Sequence, residues 1–120
     1  MNRLYTLFIK DILEAMHLAQ EFVGGMTEEE FLSDEKTKSA VVWQLEIIGE
    51  AAKNVPEHLR RKYPDIPWSR MAKMRDRLAH GYFTVNYRIV WQVLKQEIPE
   101  LEPKIREVYE GELGHGAKGA

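Results

Sequence analysis

The sequence predicts an all-α protein, an antiparallel bundle of four to five helices. Apolar residues recur near the 3.6-residue period of an α-helix along most of the chain. Cap residues, glycines and prolines divide the chain into segments of helical length. No segment long enough to form a strand alternates polar and apolar residues. A chain of 120 residues, 44% of them hydrophobic, is large enough to bury one core.

Two helices are predicted at the N-terminal end. Asn2 is a candidate N-cap for the first helix, and Gly24-Gly25 ends it. Thr27 and Glu30 have the spacing of a capping box, in which the side chain of each residue accepts a hydrogen bond from the backbone N–H of the other. This spacing predicts a second, short helix.

A long third helix is predicted to follow. Ser33 or Asp34 caps it, and it ends near Val55 because Pro56 cannot continue it. Gly49 lies in the middle of this helix, where glycine costs about 1 kcal/mol relative to alanine. We therefore expect another helix or another chain to approach closely at Gly49.

The second half of the chain is also predicted to be helical. One or two helical turns are expected over 57–62, and Pro67 suits the first turn of the helix that follows. Asn86 can cap a helix that reaches Ile98, and Pro99 is expected to interrupt the chain before one last helix.

The C-terminal residues 111–120 lack helical periodicity and are predicted to form a mobile tail behind a helical domain of residues 1–110. The absence of cysteine excludes disulfides and thiolate metal sites. The N-terminus has no apolar signal core, and no apolar run approaches the length of a membrane span. We therefore expect a cytoplasmic protein with no membrane partner.

The formal net charge of −2 does not by itself indicate nucleic-acid binding. Basic residues are nevertheless concentrated between Leu59 and Arg77, a segment that contains two acidic residues. The seven basic residues in this segment are Arg60, Arg61, Lys62, Arg70, Lys73, Arg75 and Arg77. They are expected to form either a phosphate-facing surface or an ordinary solvated helix face.

The octapeptide Arg75-Asp76-Arg77-Leu78-Ala79-His80-Gly81-Tyr82 combines a phosphate anchor, a proton-transfer group and a hydroxyl at the spacing R-x4-H-x-Y. Arg75 can bind a phosphate through two hydrogen bonds, and His80 titrates near neutral pH. With the ribose 2′-hydroxyl as an internal nucleophile, these two groups are suited to RNA cleavage without a metal ion. Asp76 is placed to orient either of them.

The spacing leaves two interpretations of this motif open. On a regular helix over 71–82, Arg75 lies about 40° from the apolar stripe, so it either pairs with a carboxylate or lines a cleft. His80 lies about 140° from Arg75 on such a helix. The two side chains can converge if the helix distorts before Gly81, if they reach across a groove, or if two copies of the chain share one cleft. The alternative is a structural helix end, with Arg75 in a salt bridge and His80 at the helix dipole.

Three further segments, taken with the octapeptide, resemble the HepT-like toxins, a branch of the HEPN ribonuclease superfamily. They are 45–53 (L-E-I-I-G-E-A-A-K), 63–68 (Y-P-D-I-P-W) and 90–101, which contains V-W followed by I-P-E-L. The resemblance covers roughly Tyr5 to Val108. Several segments in the family's order are more specific than one motif.

The resemblance implies a homodimeric HEPN bundle in which the motifs of both chains face a common cleft. It implies a metal-independent endoribonuclease, with tRNA as one candidate substrate, that acts as the toxin of a toxin–antitoxin pair. Arg75 and His80 would be catalytic, Asp76 would support them, and no cofactor is implied. The partner would be a nucleotidyltransferase antitoxin of the MntA type, which would silence the toxin by transferring AMP to Tyr82.

The chain departs from the family pattern at two places. Relatives often have Arg-Asn where this chain has Trp43-Gln44, and many have Asn at the position of Asp76. Two alternatives to the enzyme therefore stay open. One is a HEPN binding module that pairs with a nucleotidyltransferase without cleaving RNA, and the other is a structural helical dimer.

Glu14 and His17 have the E-x-x-H spacing of di-iron bundles, but no second copy of this unit occurs. We therefore predict no metal site and expect a surface pair. Glu46 and Glu50 lie one helical turn apart, and one of them could pair with Arg75.

Three tryptophans remain. Trp43, Trp68 and Trp91 are interpreted as core or interface residues, with RNA stacking as the alternative for an exposed one.

Overall fold

The structure, a computed structural model, describes residues 4–78 and 84–119. Within these ranges the chain forms helices and turns and no strand, which confirms the all-α fold class. None of the described helices has the length and apolar character needed to cross a membrane. The helices are α1 (Leu4–Val23), α2 (Glu28–Ser33), α3 (Glu35–Lys53), α4 (Glu57–Lys62), α5 (Trp68–Ala72), α6 (Met74–Leu78), α7 (Tyr87–Gln92) and α8 (Ile98–Gly119), with a π-helical turn, Val93–Glu97, between α7 and α8.

The core lies between the three long helices. α1 packs along α3, and α8 packs against α1. The short helices α5 and α6 lie on α3, and α7 contacts α2 and α6. Burial of aliphatic and aromatic side chains between these helices supplies the main driving force for folding. Fully buried side chains of this core include Ile9, Ile12, Met16, Phe31, Leu45, Ile48, Leu59, Met71, Val90, Ile98 and Ile105.

The predicted capping residues of the N-terminal half are in place, except that Asn2 lies outside the described residues. Gly24 follows the last residue of α1 with a φ of 55°, a left-handed conformation that glycine adopts without steric cost. The backbone N–H of Thr27 donates to Oε1 of Glu30 at 2.9 Å, and that of Glu30 donates to Oγ1 of Thr27 at 3.2 Å. The capping box is therefore confirmed.

Asp34 rather than Ser33 caps α3. Its Oδ1 accepts a hydrogen bond from the backbone N–H of Thr37 at 3.0 Å, and this bond lowers the pKa of the Asp34 carboxyl below its ordinary value. A stripe of α3 side chains faces the core, as the periodicity predicts. The stripe consists of Val41, Leu45, Ile48 and Ala52.

Gly49 permits the close approach that its position predicted. A Cβ atom at Gly49 would lie 3.3 Å from Cβ of Met74 and 3.4 Å from the carbonyl oxygen of Met71. The neighbour is therefore the pair of helices α5 and α6 of the same chain. Because glycine has no side chain, these helices can lie directly on the backbone of α3.

The segment that carries the motif, which the sequence predicted to distort before Gly81, is already broken at Lys73, and residues 79–82 lie outside the described part of the chain. Lys73 separates α5 from α6, and its backbone angles, φ −96° and ψ 16°, depart from those of an α-helix. Met71 and Met74, on either side of the break, are both buried. The break lets both short helices lie on α3, because the chain can change direction between them.

Pro99 was predicted to interrupt the chain, and this prediction is wrong. Helix α8 begins at Ile98 and continues through Pro99. A proline inside a helix lacks an N–H and its ring clashes with the carbonyl four residues earlier. Here that residue is Lys95, which lies in the π-helical turn, where the N–H of Ile98 donates to the carbonyl of Val93 five residues back. The wider turn accommodates the ring.

The C-terminal segment is helical as far as Gly119, so the boundary predicted after residue 110 does not coincide with the end of a helix. Glu112 is buried and accepts hydrogen bonds from the hydroxyl of Tyr63 at 2.6 Å and from Nζ of Lys62 at 2.8 Å. Burial, together with the bond to Glu112, raises the pKa of Tyr63 to about 12. The mobility of residues 111–120 stays a prediction.

Candidate functional site

A cavity of about 250 Å³ lies between α3 and the α5–α6 pair. One wall is a stripe of α3 distinct from the stripe that faces the core. Positions 43, 46, 47 and 50 share this face because residues three and four apart are neighbours on a helix. The residues that line the cavity are Trp43, Glu46, Ile47, Gly49, Glu50, Lys53, Ala72 and Arg75.

Arg75 lies on the opposite wall from this stripe and is exposed. Of the two environments predicted for it, the cleft is confirmed. Among the described residues it forms no hydrogen bond or ion pair, and neither Glu46 nor Glu50 pairs with it. An exposed guanidinium keeps its five N–H donors available for a ligand.

The basic residues between Leu59 and Arg77 fall into two groups. Five of the seven are bonded to protein groups, so most of this segment is structural or salt-bridged rather than a continuous phosphate-facing surface. Within the part of the chain that the structure describes, the side chains of the other two, Lys73 and Arg75, form no hydrogen bond or ion pair. The hydrogen bonds of these five residues run from Arg60 to the carbonyls of Ala52 and Val55, from Arg61 to Glu57, from Lys62 to Glu112, and from Arg70 and Arg77 to Glu97.

Glu97 accepts hydrogen bonds from two of these arginines. Its carboxylate accepts two hydrogen bonds from Arg77, at 2.9 Å and 2.6 Å, and one from Arg70 at 3.3 Å. The hydrogen bonds from Arg77 hold the pKa of Glu97 below its ordinary value. This contact ties α6 to the π-helical turn, and it places Arg77 in a structural role.

The other predicted site residues are placed only in part. His80 and Tyr82 lie outside the described residues, so their convergence with Arg75 stays a prediction. The chain leaves the described part at Leu78 and returns at Thr84, and the backbone N–H of Asn86 donates to the carbonyl of Leu78 at 2.8 Å. Asp76 is exposed and forms no hydrogen bond or ion pair with the described residues.

Trp43 is the residue at this site that sequence reasoning undervalued. Of the positions predicted for it, the core is wrong, and an interface position or RNA stacking stays a prediction; Trp68, in contrast, is buried and Trp91 packs against Phe31. Trp43 is 62% exposed and lines the cavity that contains Arg75. The available signal was its register, because position 43 lies off the buried stripe of α3.

The E-x-x-H pair lies on the exposed side of α1. His17 contacts Glu21 at 3.2 Å, and both side chains are well exposed. Among the described residues, no three histidine, aspartate or glutamate side chains are grouped closely enough to hold a metal ion.

Comparisons with known proteins agree with the resemblance in the motifs. The family model described as "Ribonuclease HepT-like" matches residues 12–108. A protein of Thermococcus cleftensis named "Probable ribonuclease HepT" is 45% identical over 108 residues, which cover 90% of this chain and 98% of the relative.

Two further relatives are named as candidate RNases. One, from Methanocaldococcus jannaschii, is 47% identical over 88% of this chain and 89% of its own length. The other, from Caldanaerobacter subterraneus, is 44% identical over 88% of this chain and 94% of its own length. No solved structure gives a significant match. The extent and identity of these matches show that the chain belongs to the HepT-like ribonuclease family.

Proposed function

We propose that the protein is a metal-independent endoribonuclease that acts as the toxin of a toxin–antitoxin pair, with Arg75 and His80 as catalytic residues. The observation that carries this proposal is the environment of Arg75. Its guanidinium is exposed at a cavity and has no carboxylate partner among the described residues. Two positions away, Arg77 is held by Glu97, so of the two arginines of α6 it is Arg75 that has no carboxylate partner among the described residues.

The chemistry follows from the groups that the motif supplies. His80 removes the proton from a ribose 2′-hydroxyl, whose oxygen attacks the adjacent phosphorus. The bond from phosphorus to the 5′-oxygen of the next nucleotide breaks, and this oxygen takes a proton from water, while the protonated His80 returns its proton to solvent. The products are a 2′,3′-cyclic phosphate and a 5′-hydroxyl. Arg75 donates two hydrogen bonds to the non-bridging oxygens and stabilises the charge that develops on them. The exposure of Arg75 supports this role, since a buried ion pair would not be available to substrate.

A homodimer would bring two copies of the motif to one cleft. In one chain α6 is five residues long, and it ends at Leu78, between Arg75 and His80, which are separated by four residues. If the second copy contributes to the same cleft, a phosphate can be contacted from both sides. Family membership supports this arrangement, and the described chain alone does not contain it.

Tyr82 is proposed as the site at which an MntA-type nucleotidyltransferase silences the enzyme. Its hydroxyl oxygen would attack the α-phosphorus of ATP, forming a phosphodiester with AMP and releasing pyrophosphate, while the phenolic proton passes to a base. The attached phosphate is anionic and would lie two positions from His80. It would therefore compete with RNA for Arg75.

The catalytic proposal is tested by incubating the purified protein with total tRNA in the presence of EDTA. We expect cleavage products that end in a cyclic phosphate, and we expect His80→Ala to abolish them. Intact mass must show Tyr82 to be unmodified in both samples. If wild type and variant are equally inactive with Tyr82 unmodified, the protein is instead a HEPN binding module.

The modification is tested with the nucleotidyltransferase partner and ATP. Intact mass should increase by one AMP unit in the wild type, and RNA cleavage should fall in proportion to the modified fraction. Tyr82→Phe should gain no mass and should stay active in the presence of the partner. A mass gain that persists in Tyr82→Phe would place the modification on another residue.

A further inference from the structure

The cavity beside Arg75 has an exposed indole at its edge. Trp43 is 62% exposed, more than the other exposed large apolar residues of the described chain, which include Leu7 at 52%. Its ring is amphipathic and flat, and it loses little conformational entropy on binding. An exposed tryptophan next to an unpaired arginine is therefore a candidate ligand contact rather than a packing residue.

The two residues belong to different walls of one cavity. Trp43 lies on α3, and Arg75 lies on α6, which approaches α3 because Gly49 has no side chain. The volume, about 250 Å³, is near the lower end of the range of small-molecule sites, about 300–1,000 Å³. A cavity of this size suits a single planar base rather than a longer segment of nucleic acid.

The charges on the cavity walls distinguish a base from a phosphate. Glu46 and Glu50 line the same space as Trp43, and Lys53, whose Nζ lies 3.9 Å from Oε2 of Glu50, offsets one of the two carboxylates. The α3 wall therefore has no excess of positive charge to attract a phosphate away from Arg75. Carboxylates accept hydrogen bonds from the amino groups on base edges. The uncharged base is thus the part of a nucleotide that suits the cavity, while its phosphate would remain at Arg75.

We propose that Trp43 is a stacking platform for the nucleobase adjacent to the phosphate that Arg75 binds. The ligand is single-stranded RNA, so the inference rests on the proposed function, and it adds a substrate-positioning residue to the two catalytic ones. Stacking on an aromatic ring tolerates every base, because each base has a π face. Trp43 would therefore contribute affinity and position at the cleavage site without reading sequence.

A second copy of this chain is the other occupant that could cover Trp43. The charged residues of the cavity favour a nucleobase over a second copy of the chain. An apolar protein contact would have to remove water from four of them at the same time, namely Glu46, Glu50, Lys53 and Arg75. A base edge and its neighbouring phosphate instead supply hydrogen-bonding partners for these groups.

The experiment measures binding of a fluorescein-labelled single-stranded oligonucleotide in which every 2′-hydroxyl is methylated. The 2′-O-methyl group removes the internal nucleophile, so binding is measured without cleavage. We expect Trp43→Ala to weaken binding roughly 5- to 150-fold, the effect of removing one base–aromatic stack. Trp43→Phe, which keeps an aromatic face, should bind close to wild type, and the control Leu7→Ala should bind as wild type does.

A second measurement on the same proteins tests whether Trp43 is the tryptophan that contacts the oligonucleotide. Binding should quench the tryptophan fluorescence of the wild type and leave that of Trp43→Phe nearly unchanged, because Trp68 is buried and Trp91 packs against Phe31, away from the residues that line the cavity. Circular dichroism should show that Trp43→Ala remains folded, as expected for an exposed side chain.

Two results would overturn the proposal. One is unchanged binding in Trp43→Ala. The other is a loss of binding that accompanies a shift to monomer in light scattering, which would make Trp43 an interface residue. If the wild type binds the oligonucleotide through Trp43 but cleaves no RNA, the proposed catalytic function fails and the stacking proposal stands. If the wild type cleaves tRNA and Trp43→Ala binds normally, the stacking proposal alone fails.

Discussion

Arg75 and Arg77 lie two residues apart on the five-residue helix α6, yet they have opposite environments. Arg77 donates two hydrogen bonds to Glu97 and joins α6 to the π-helical turn. Arg75 is about 200° away around the helix axis, faces the cavity beside α3, and has no partner among the described residues. The same residue type therefore has a structural role on one face of α6 and is available to a ligand on the other.

This difference shows why a count of basic residues is a poor guide to a nucleic-acid site. An arginine that is paired with a buried or half-buried carboxylate contributes little field at the surface, because the two charges largely cancel. An arginine without a partner keeps its full charge and its donors. In the segment 59–77 the cationic side chains that keep all their donors are thus Lys73 and Arg75, whereas Arg60 keeps its charge but donates to the carbonyls of Ala52 and Val55.

The sharpest test of the comparison is to remove each arginine in turn. Arg75→Ala should lower kcat/KM for tRNA cleavage about 10²- to 10³-fold, because it removes a donor to the charge that develops in the transition state. Its melting temperature should stay close to that of the wild type, since the side chain is exposed and unpaired among the described residues. Cleavage is followed by gel electrophoresis and stability by calorimetry.

Arg77→Ala is the matched control, and it should reverse this pattern. It should lower the melting temperature while cleavage is retained at temperatures where the variant is folded. Arg75→Lys should recover only part of the activity, since lysine keeps the charge and loses the bidentate geometry. An Arg75→Ala protein that is unfolded, or an Arg77→Ala protein that is fully folded but inactive, would contradict these two roles.

A second test displaces α6, the helix that contains Arg75, by a substitution at Gly49. Gly49→Val places a branched side chain where Cβ alone would already lie 3.3 Å from Cβ of Met74. We expect a loss of about 1–3 kcal/mol in the free energy of unfolding, the usual cost of overpacking, together with weaker cleavage as α6 is displaced. Urea denaturation measures the first effect and tRNA cleavage the second.

Gly25→Val provides the control for Gly49→Val, because a Cβ at Gly25 would meet no atom within 4 Å. It should leave both stability and activity nearly unchanged. Equal effects of the two substitutions would show that the close approach at Gly49 does not cause the loss of stability and cleavage.

The smallest expected effect concerns Glu97. Glu97→Gln should destabilise the protein by roughly 1–2 kcal/mol at neutral pH, because the charge-assisted bonds from Arg77 become neutral ones. Since the pKa of Glu97 is lowered in the folded state, its contribution is complete above the ordinary pKa of 4.5 and is lost as the pH falls through the folded-state value.

The difference in stability between wild type and Glu97→Gln should therefore shrink on acidification. Urea titrations at neutral pH and at several acidic pH values measure it. Glu110→Gln removes a charge from an exposed residue of α8 that forms no ion pair with the described residues, and it should cost little at any pH. A difference for Glu97→Gln that grows in acid would contradict the assigned role of Arg77.

Short-range features of this fold followed directly from neighbouring residues. The capping box of Thr27 and Glu30, the cap at Asp34 and the end of α1 at Gly24 each depend on residues within four positions of one another. The features that the sequence did not predict correctly depend on distant residues. The break at Lys73 reflects how α5 and α6 lie on α3, and Pro99 is accommodated by a π-helical turn for which the sequence has no simple signal.

The candidate site shows the same division. The R-x4-H-x-Y spacing was sufficient to select Arg75, and it also showed that this arginine either pairs or lines a cleft. It could not decide between the two, because the possible partners lie on α3 and in the turn before α8. The register of Trp43 places it off the buried stripe of α3, but its exposure also depends on what packs against that face, which short-range spacing does not contain.

The sequence alone determined the helical class, the positions of the caps, the family and the residue types that can perform chemistry on a phosphate. These depend on local backbone preferences and on short-range spacing, which a linear pattern contains. Only the tertiary structure decided that Glu97 bonds Arg77 and leaves Arg75 open, and that Trp43 shares a cavity with Arg75. Ion pairing and exposure are set by side chains from distant parts of the chain, which come together only when the helices pack.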